Sequence, residues 1–401
     1  MSRDCEKYLT CFYKKKNYNE KSQKIRNARR IKMKTRDKYR GCLLGGAAGD
    51  ALGYAVEFAG EEVIFQKYGE HGITEYELDK SGKALFSDDT QMTLFTANSL
   101  LLHTEEILKN EREDAYRDFF EYCYRCWYFT QGEEENEESD EEKSWLMQVP
   151  ELYSRRAPGL TCLSAFHSGK IGSVAKPMNE SKGCGGVMRV APVGIYLDEK
   201  NHTLEQVGKI GAEAAALTHG HELGYIPAAV FAMIVHLAVN CEDLSMMEIV
   251  ETALDEVWYA FPEGEFMNQF QDLMNLALDL AVNDEDDLDA IHHLGAGWVA
   301  EEALAIATYC AVKYEHDFEK GIIAAVNHGG DSDSTGAIAG NILGAYLGID
   351  AIPEKYKENL ELKEVILRMA DELYDFPEPE KVKKEEETKE KPKARILFRL
   401  R

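Results

Sequence analysis

The chain has 401 residues, 44% of them apolar, and a formal charge of −26 at pH 7, enough apolar material for a sizeable core in one large domain or two. This acidity argues against a general binder of nucleic acid or anionic membrane, since phosphate contacts need clustered Lys and Arg; a nucleotide-like ligand held through a metal stays open. No apolar run reaches the roughly 18 residues of a membrane span, the N-terminus lacks the apolar stretch of a secretory signal, and nine scattered cysteines read as reduced thiols, so the expected compartment is the cytoplasm.

Residues 1–35 are basic and poor in apolar clusters, with Lys14, Lys15, Lys16, Arg29 and Arg30, and read as a solvated extension. Met33 opens a stretch that looks like a natural start. Next, Gly45, Gly49 and Gly53 recur every four residues, and Glu57 follows. Each glycine costs a helix about 1 kcal/mol, so this spacing calls for a packing reason: a flat ridge against which another backbone can lie. Gly336, Gly340, Gly344 and Gly348 repeat the spacing. The two ridges are expected to pack together and to bring Glu57 towards the residues that precede Gly336.

Helical periodicity dominates from there, near 90–103, 112–130, 204–217, 225–240, 244–259, 266–282, 298–314, 317–326, 335–348 and 361–374. Period-two alternation is confined to short pieces near 73–78. The expected architecture is one all-α domain over 36–375, a compact orthogonal multi-helix bundle. An acidic run from Glu133 to Glu142 reads as a surface loop, and 376–401 as a charged, low-complexity tail.

Two stretches carry hard oxygen donors before apolar helices: Ser87-Asp88-Asp89-Thr90 and Asp331-Ser332-Asp333-Ser334. Either could be an ordinary helix cap; together they suggest one site shared by a cation such as Mg²⁺ or Mn²⁺. Ser181-Lys182-Gly183-Cys184-Gly185-Gly186 could expose backbone N–H groups to a diphosphate or be a structural turn. His219, at a helix end, reads as a substrate contact, and His221 has no assigned role. Trp298 offers a stacking face or a core ring, and His328 is placed to orient an aspartate. Cys123 and Cys126 lack the second pair a zinc site needs.

In this order the motifs resemble the ADP-ribosylglycohydrolase family over residues 36–360: Gly49-Asp50-Ala51-Leu52-Gly53 with Glu57, Ser87 to Thr90, Gly183 to Arg189, Thr218-His219, Gly295 to Trp298, and Gly329 to Ser334. The resemblance implies an all-α hydrolase with two divalent cations, Mg²⁺ or Mn²⁺, on Ser87, Asp88, Asp89, Asp331, Asp333 and Ser334. It implies that Glu57 works at the scissile bond beside Asp88 and Asp331, and that Ser181, Gly183, Cys184, Gly185 and His219 contact ADP-ribose. Ser87 and Ser334 stand where many members carry Thr, and Cys184 where Asn is common. The implied activity is removal of ADP-ribose from a modified protein side chain through its N-glycosidic bond; the Asp-Ser-Asp-Ser form resembles the arginine-directed branch. The partner is an ADP-ribosylated protein or conjugate, and the chain is expected to act as a monomer without membrane or nucleic acid. The competing expectations are a non-catalytic binder of ADP-ribose and a hydrolase of another ADP-ribosyl linkage.

Overall fold

The computed structural model describes residues 35–110, 115–132 and 144–380. Within them lie sixteen α-helices, four short 3-10 helices and no strand, so the fold is all-α as expected. The first half contains α1 (Arg36–Tyr54), α2 (Glu61–Tyr68), α3 (Asp88–Asn110), α4 (Tyr116–Thr130), α5 (Leu160–His167), α6 (Ala191–Tyr196), α7 (Leu204–Ala216) and α8 (Glu222–Asn240). The second contains α9 (Met246–Ala260), α10 (Met267–Ala281), α11 (Asp287–Leu294), α12 (Ala300–Lys313), α13 (Phe318–Val326), α14 (Ser332–Leu347), α15 (Glu354–Lys357) and α16 (Lys363–Asp375). Residues 1–34, the run 133–142 and the tail beyond 380 lie outside the described residues.

The alternating piece near 73–78 forms no strand, because a side chain does the work of a partner strand. The Asn327 carboxamide accepts from the Ile73 N–H at 2.7 Å and donates to the Ile73 carbonyl at 2.9 Å. The reading that no apolar run is long enough for a membrane passed over α8, which meets that test by length and composition; 94% of its apolar window is buried inside the bundle. It is a central core helix around which α6, α7, α9 and α12 pack. Two helices begin with reciprocal caps, Thr203 with Gln206 and Ser245 with Glu248, each satisfying two otherwise unpaired backbone donors. The seven described cysteines are all free thiols.

The most extensive helix pairing is α1 against α14, and the two glycine ridges are its contact surface. A Cβ added at Gly41 would run into the carbonyl of Gly344, at Gly45 into that of Gly340, at Gly49 into that of Gly336 and at Gly53 into that of Ser332. The reverse holds from α14: Gly336, Gly340 and Gly344 face the carbonyls of Gly49, Gly45 and Gly41. The order is antiparallel, so the end of α1 meets the start of α14. Asn341 locks the register by donating to the Cys42 carbonyl at 2.8 Å.

Beyond α16 the chain stays attached to the bundle up to residue 380. Glu378 is buried and accepts from Tyr116 Oη at 2.5 Å and pairs with His202 Nε2 at 2.8 Å. Burial alone would raise its pKa, but the bonds from His202, Tyr116 and Asn201 outweigh it and pull the carboxyl to about 2. The segment that reads as the start of a solvated tail therefore clasps α4 and the chain entering α7.

The ridge contact predicts that Gly340→Leu, with a side chain driven against backbone, loses about 3 kcal/mol or more. A thermal melt checks this; an unchanged midpoint would refute the close approach of α1 and α14.

Candidate metal centre

Because α1 and α14 meet end to end, Glu57 in the turn after α1 reaches the Asp331-Ser332-Asp333 start of α14. Oxygens of Glu57, Asp331 and Asp333 lie within 4.8 Å of one another, and all three side chains are buried. The start of α3 is brought to the same place by Asp50, a fully buried residue in the last turns of α1. Its carboxylate accepts from the Ser87 N–H at 2.8 Å, and from the Thr90 N–H at 2.9 Å and hydroxyl at 2.5 Å. Asp50 is thus a cap supplied from another helix, meeting donors that the first turn of α3 leaves unpaired. Ser87 adds a local cap, its Oγ accepting from Asp89 N–H at 3.2 Å. Asp88 accepts from the Gly159 N–H at 3.3 Å.

A third segment closes over the aspartates. Asp331 N–H donates to the Ala296 carbonyl at 2.8 Å, while Glu302 holds the same loop by accepting from the N–H groups of Ala296 and Gly297 at 3.0 and 3.3 Å. Gly295 and Gly297 have φ of +123° and +81°, which only glycine adopts without strain.

Crowding acids in a dry site has an electrostatic consequence. Burial first, then the charge of Asp333, pushes Asp50 up to about 7 and Glu57 to about 9, and drives Asp88, Asp89 and Asp331 well above the usual carboxylate range. No Lys or Arg pairs with these groups among the described residues. One oxygen each of Glu57, Asp89 and Asp331 is buried with no hydrogen-bond partner. Buried anionic oxygens without donors are costly, and hard divalent cations take such ligands. The donor set fits Mg²⁺ or Mn²⁺ by this test.

The glycine turn of 183–186 borders the cluster through Cys184. Desolvation, followed by the charges of Asp331 and Asp89, raises its thiol well above its ordinary range, which argues against a nucleophile. Its N–H donates to the Trp298 carbonyl at 3.2 Å. His219 lies against the turn: a Cβ at Gly185 would stand 3.1 Å from its ring. The ring is buried, and its pKa falls to about 3 through desolvation and then the nearby Arg189. Arg189, itself fully buried, donates to Thr218 Oγ1 at 2.8 Å. Thr218 Oγ1 also lies 2.8 Å from His219 Nδ1 and 3.4 Å from the Ala215 carbonyl, and the other ring nitrogen, Nε2, faces the turn.

Of the residues expected from sequence, Glu57, Asp331 and Asp333 form the tight group, while Asp88 and Asp89 stand outside its 4.8 Å spacing and act on it through their charge. Ser87 and Ser334 are buried beside them. Ser181, Gly183, Cys184, Gly185 and His219 lie together at the turn, with Ser181 Oγ 3.1 Å from Thr161 Oγ1. Trp298 is exposed rather than a core ring. His328 contacts Thr335 Oγ1 at 3.0 Å, so it braces the first turn of α14 instead of orienting an aspartate. His221 caps α8, its Nδ1 accepting from Leu223 N–H at 3.0 Å. Sequence reading missed the roles of Asp50, Glu302 and Arg189; the signal for Asp50 was a charged residue between ridge glycines, in the otherwise apolar stretch 41–53.

A family model described as ADP-ribosylglycohydrolase matches residues 32–381, and the chain belongs to this family. Its reaction class is accordingly hydrolysis of an ADP-ribosyl linkage. It is similar to a protein of Archaeoglobus fulgidus described as uncharacterized, 30% identical across 85% of this chain and 97% of the relative. It is also similar to human ADP-ribosylhydrolase ARH3, 26% identical across 81% and 89%, and to the ADP-ribosyl-dinitrogen reductase glycohydrolase of Rhodospirillum rubrum, 24% identical across 82% and 91%. A solved structure described as an ADP-ribosylglycohydrolase-related protein complex shares the fold, with a TM-score of 0.53 and 24% identity over 85% of this chain and 98% of that one.

The raised carboxyls set the sign of a pH effect. A carboxyl that holds its proton more tightly folded than unfolded stabilises fully below the unfolded value of about 4 and loses that contribution as pH rises, here through about 7 for Asp50 and about 9 for Glu57. His219 and His328, depressed to about 3 and 4, have finished titrating by pH ~7, above the unfolded value of ~6.5. Chelator-treated protein should therefore melt progressively lower between pH ~7 and ~9, and Mg²⁺ should raise the midpoint more at the higher pH. A cation effect that shrinks over this interval contradicts the carboxylate account.

Proposed function

We propose that the chain is a divalent-cation-dependent hydrolase that cleaves the N-glycosidic bond between ADP-ribose and a protein side chain, with arginine as the acceptor. The observation that carries this reading is the buried carboxylate cluster with three partnerless oxygens, set beside a glycine turn in a family that acts on ADP-ribosyl linkages. Ser87, Asp88, Asp89, Asp331, Asp333 and Ser334 would hold two Mg²⁺ or Mn²⁺ ions, and Glu57 borders them. When bound, the cations would position ribose hydroxyls and lower the pKa of a water.

The remaining work falls to the chain. The small Ser181–Gly185 turn receives the diphosphate, and the neutral ring of His219 lies on the same side with Nε2 towards it. As the C–N bond breaks, positive charge grows at the anomeric carbon, and the surrounding carboxylates stabilise it. Glu57, at the border of the cluster, is placed to pass a proton to the departing nitrogen; water oxygen bonds to the anomeric carbon and its displaced proton goes to a cluster carboxylate. The acceptor assignment rests on the Asp331-Ser332-Asp333-Ser334 form. A purely binding role is disfavoured by the intact acids, for which binding alone has no physical need.

Release of ADP-ribose from an arginine-modified protein, followed with and without Mg²⁺ or Mn²⁺, tests the reading. Glu57→Gln should keep ADP-ribose affinity while kcat falls about 10²- to 10⁴-fold; full turnover in that variant rules out its proton role. Asp331→Ala should lose cation binding and activity together, and activity surviving both this change and a chelator would overturn the metal dependence.

A further inference from the structure

Phe58 and Trp298 are large apolar side chains left in solvent, 76% and 43% exposed, and they face each other. Their ring centroids are 6.2 Å apart with planes inclined by 21°. They come from segments far apart in sequence, and the residue before each one lines the carboxylate cluster. Glu57 belongs to the tight group itself, and the backbone of Gly297 abuts Asp331, with the position of a Cβ 3.3 Å from Asp331 Cβ. The two rings therefore stand at the outer edge of the centre, on the Glu57 side. The inner side is taken by the glycine turn, which Cys184 N–H ties to the Trp298 carbonyl.

We propose that Phe58 and Trp298 form the acceptor subsite, an aromatic wall that receives the planar guanidinium of ADP-ribosylated arginine beside Glu57. The inference rests on the catalytic reading above and specifies what recognises the leaving group. An ADP-ribose unit whose diphosphate lies at the turn and whose ribose lies at the carboxylates must direct its acceptor past Glu57, where these rings are. Guanidinium groups stack on aromatic faces. A neighbouring acid suits a cation: Glu61, at the start of α2, is shared between His292 Nε2 at 2.6 Å and the Gly329 N–H at 3.3 Å. The chain's net charge of −26 also favours approach of a basic segment. A serine-linked acceptor offers the rings neither charge nor a flat face.

The test uses the full-length chain with Mn²⁺, an arginine-linked and a serine-linked ADP-ribosyl peptide, and calorimetry with free ADP-ribose. Phe58→Ala should raise KM for the arginine-linked peptide about five- to thirty-fold, change its kcat little, and leave serine-linked hydrolysis and ADP-ribose affinity unchanged; Phe58→Tyr should restore the KM. Because Phe58 is exposed, a melt matching that of wild type establishes that the variant is folded. Equal losses on both peptides, a loss of ADP-ribose affinity, an unchanged KM, or a wild type that prefers the serine linkage would overturn the assignment. A wild type that releases ADP-ribose from neither peptide would instead fail the catalytic reading on which the subsite depends.

Discussion

Close approach of α1 and α14 is the constraint on which the rest of the structure depends. Glycines cost each helix about 1 kcal/mol apiece, and the compensation is geometric: with no Cβ between them, two backbones lie against each other along their length. Antiparallel order then makes the last turn of one helix meet the first turn of the other. Glu57 and Asp50 come from the first; Asp331, Asp333 and Ser334 come from the second. Any side chain along the ridge would move these groups apart, so packing and chemistry are the same requirement here.

That geometry creates an electrostatic problem which the chain leaves open. Carboxylates held this close in a dry site cannot all ionise without a counter-charge, and no described Lys or Arg pairs with them. Partnerless oxygens on Glu57, Asp89 and Asp331 are what remains when the protein's own donors are used up. Two outside supports fix the arrangement: Asp50 caps α3 from α1, and Glu302 holds the 295–298 loop against Asp331. Both are carboxylates serving backbone N–H groups, Asp50 fully buried and Glu302 half-buried, distinct in task from the acids that face one another.

The sequence made the helices, both acidic turns and the paired ridges legible, since each has a short-range signature: 3.6-residue periodicity, adjacent acids before an apolar run, and glycine every fourth residue. The short helices α2, α5, α11 and α15 escaped because segments of four to eight residues carry too few turns for periodicity to register. Roles that depend on partners distant in the chain were hidden. Nothing local says that Asp50 would cap a helix starting 38 residues later, that Arg189 would act on His219 through Thr218, or that His328 would reach Thr335 and not an aspartate. Glu378 misled in the other direction, because a Pro- and Glu-rich stretch reads as solvated until a His and a Tyr are placed around it. The aromatic pair at the mouth was half visible: Trp298 was a candidate surface, whereas Phe58 gained meaning only when the fold set it opposite.

The account's central claim is that acids from two helix ends joined by the glycine ridges share one cation site. Titration of Mn²⁺ into chelator-stripped protein, with the bound ion followed by its electron paramagnetic resonance, tests it most directly. The account predicts two magnetically coupled ions per chain, with the coupling lost when either Asp88→Asn or Asp333→Asn is introduced. No saturable binding, or coupled ions that survive both substitutions, would contradict it.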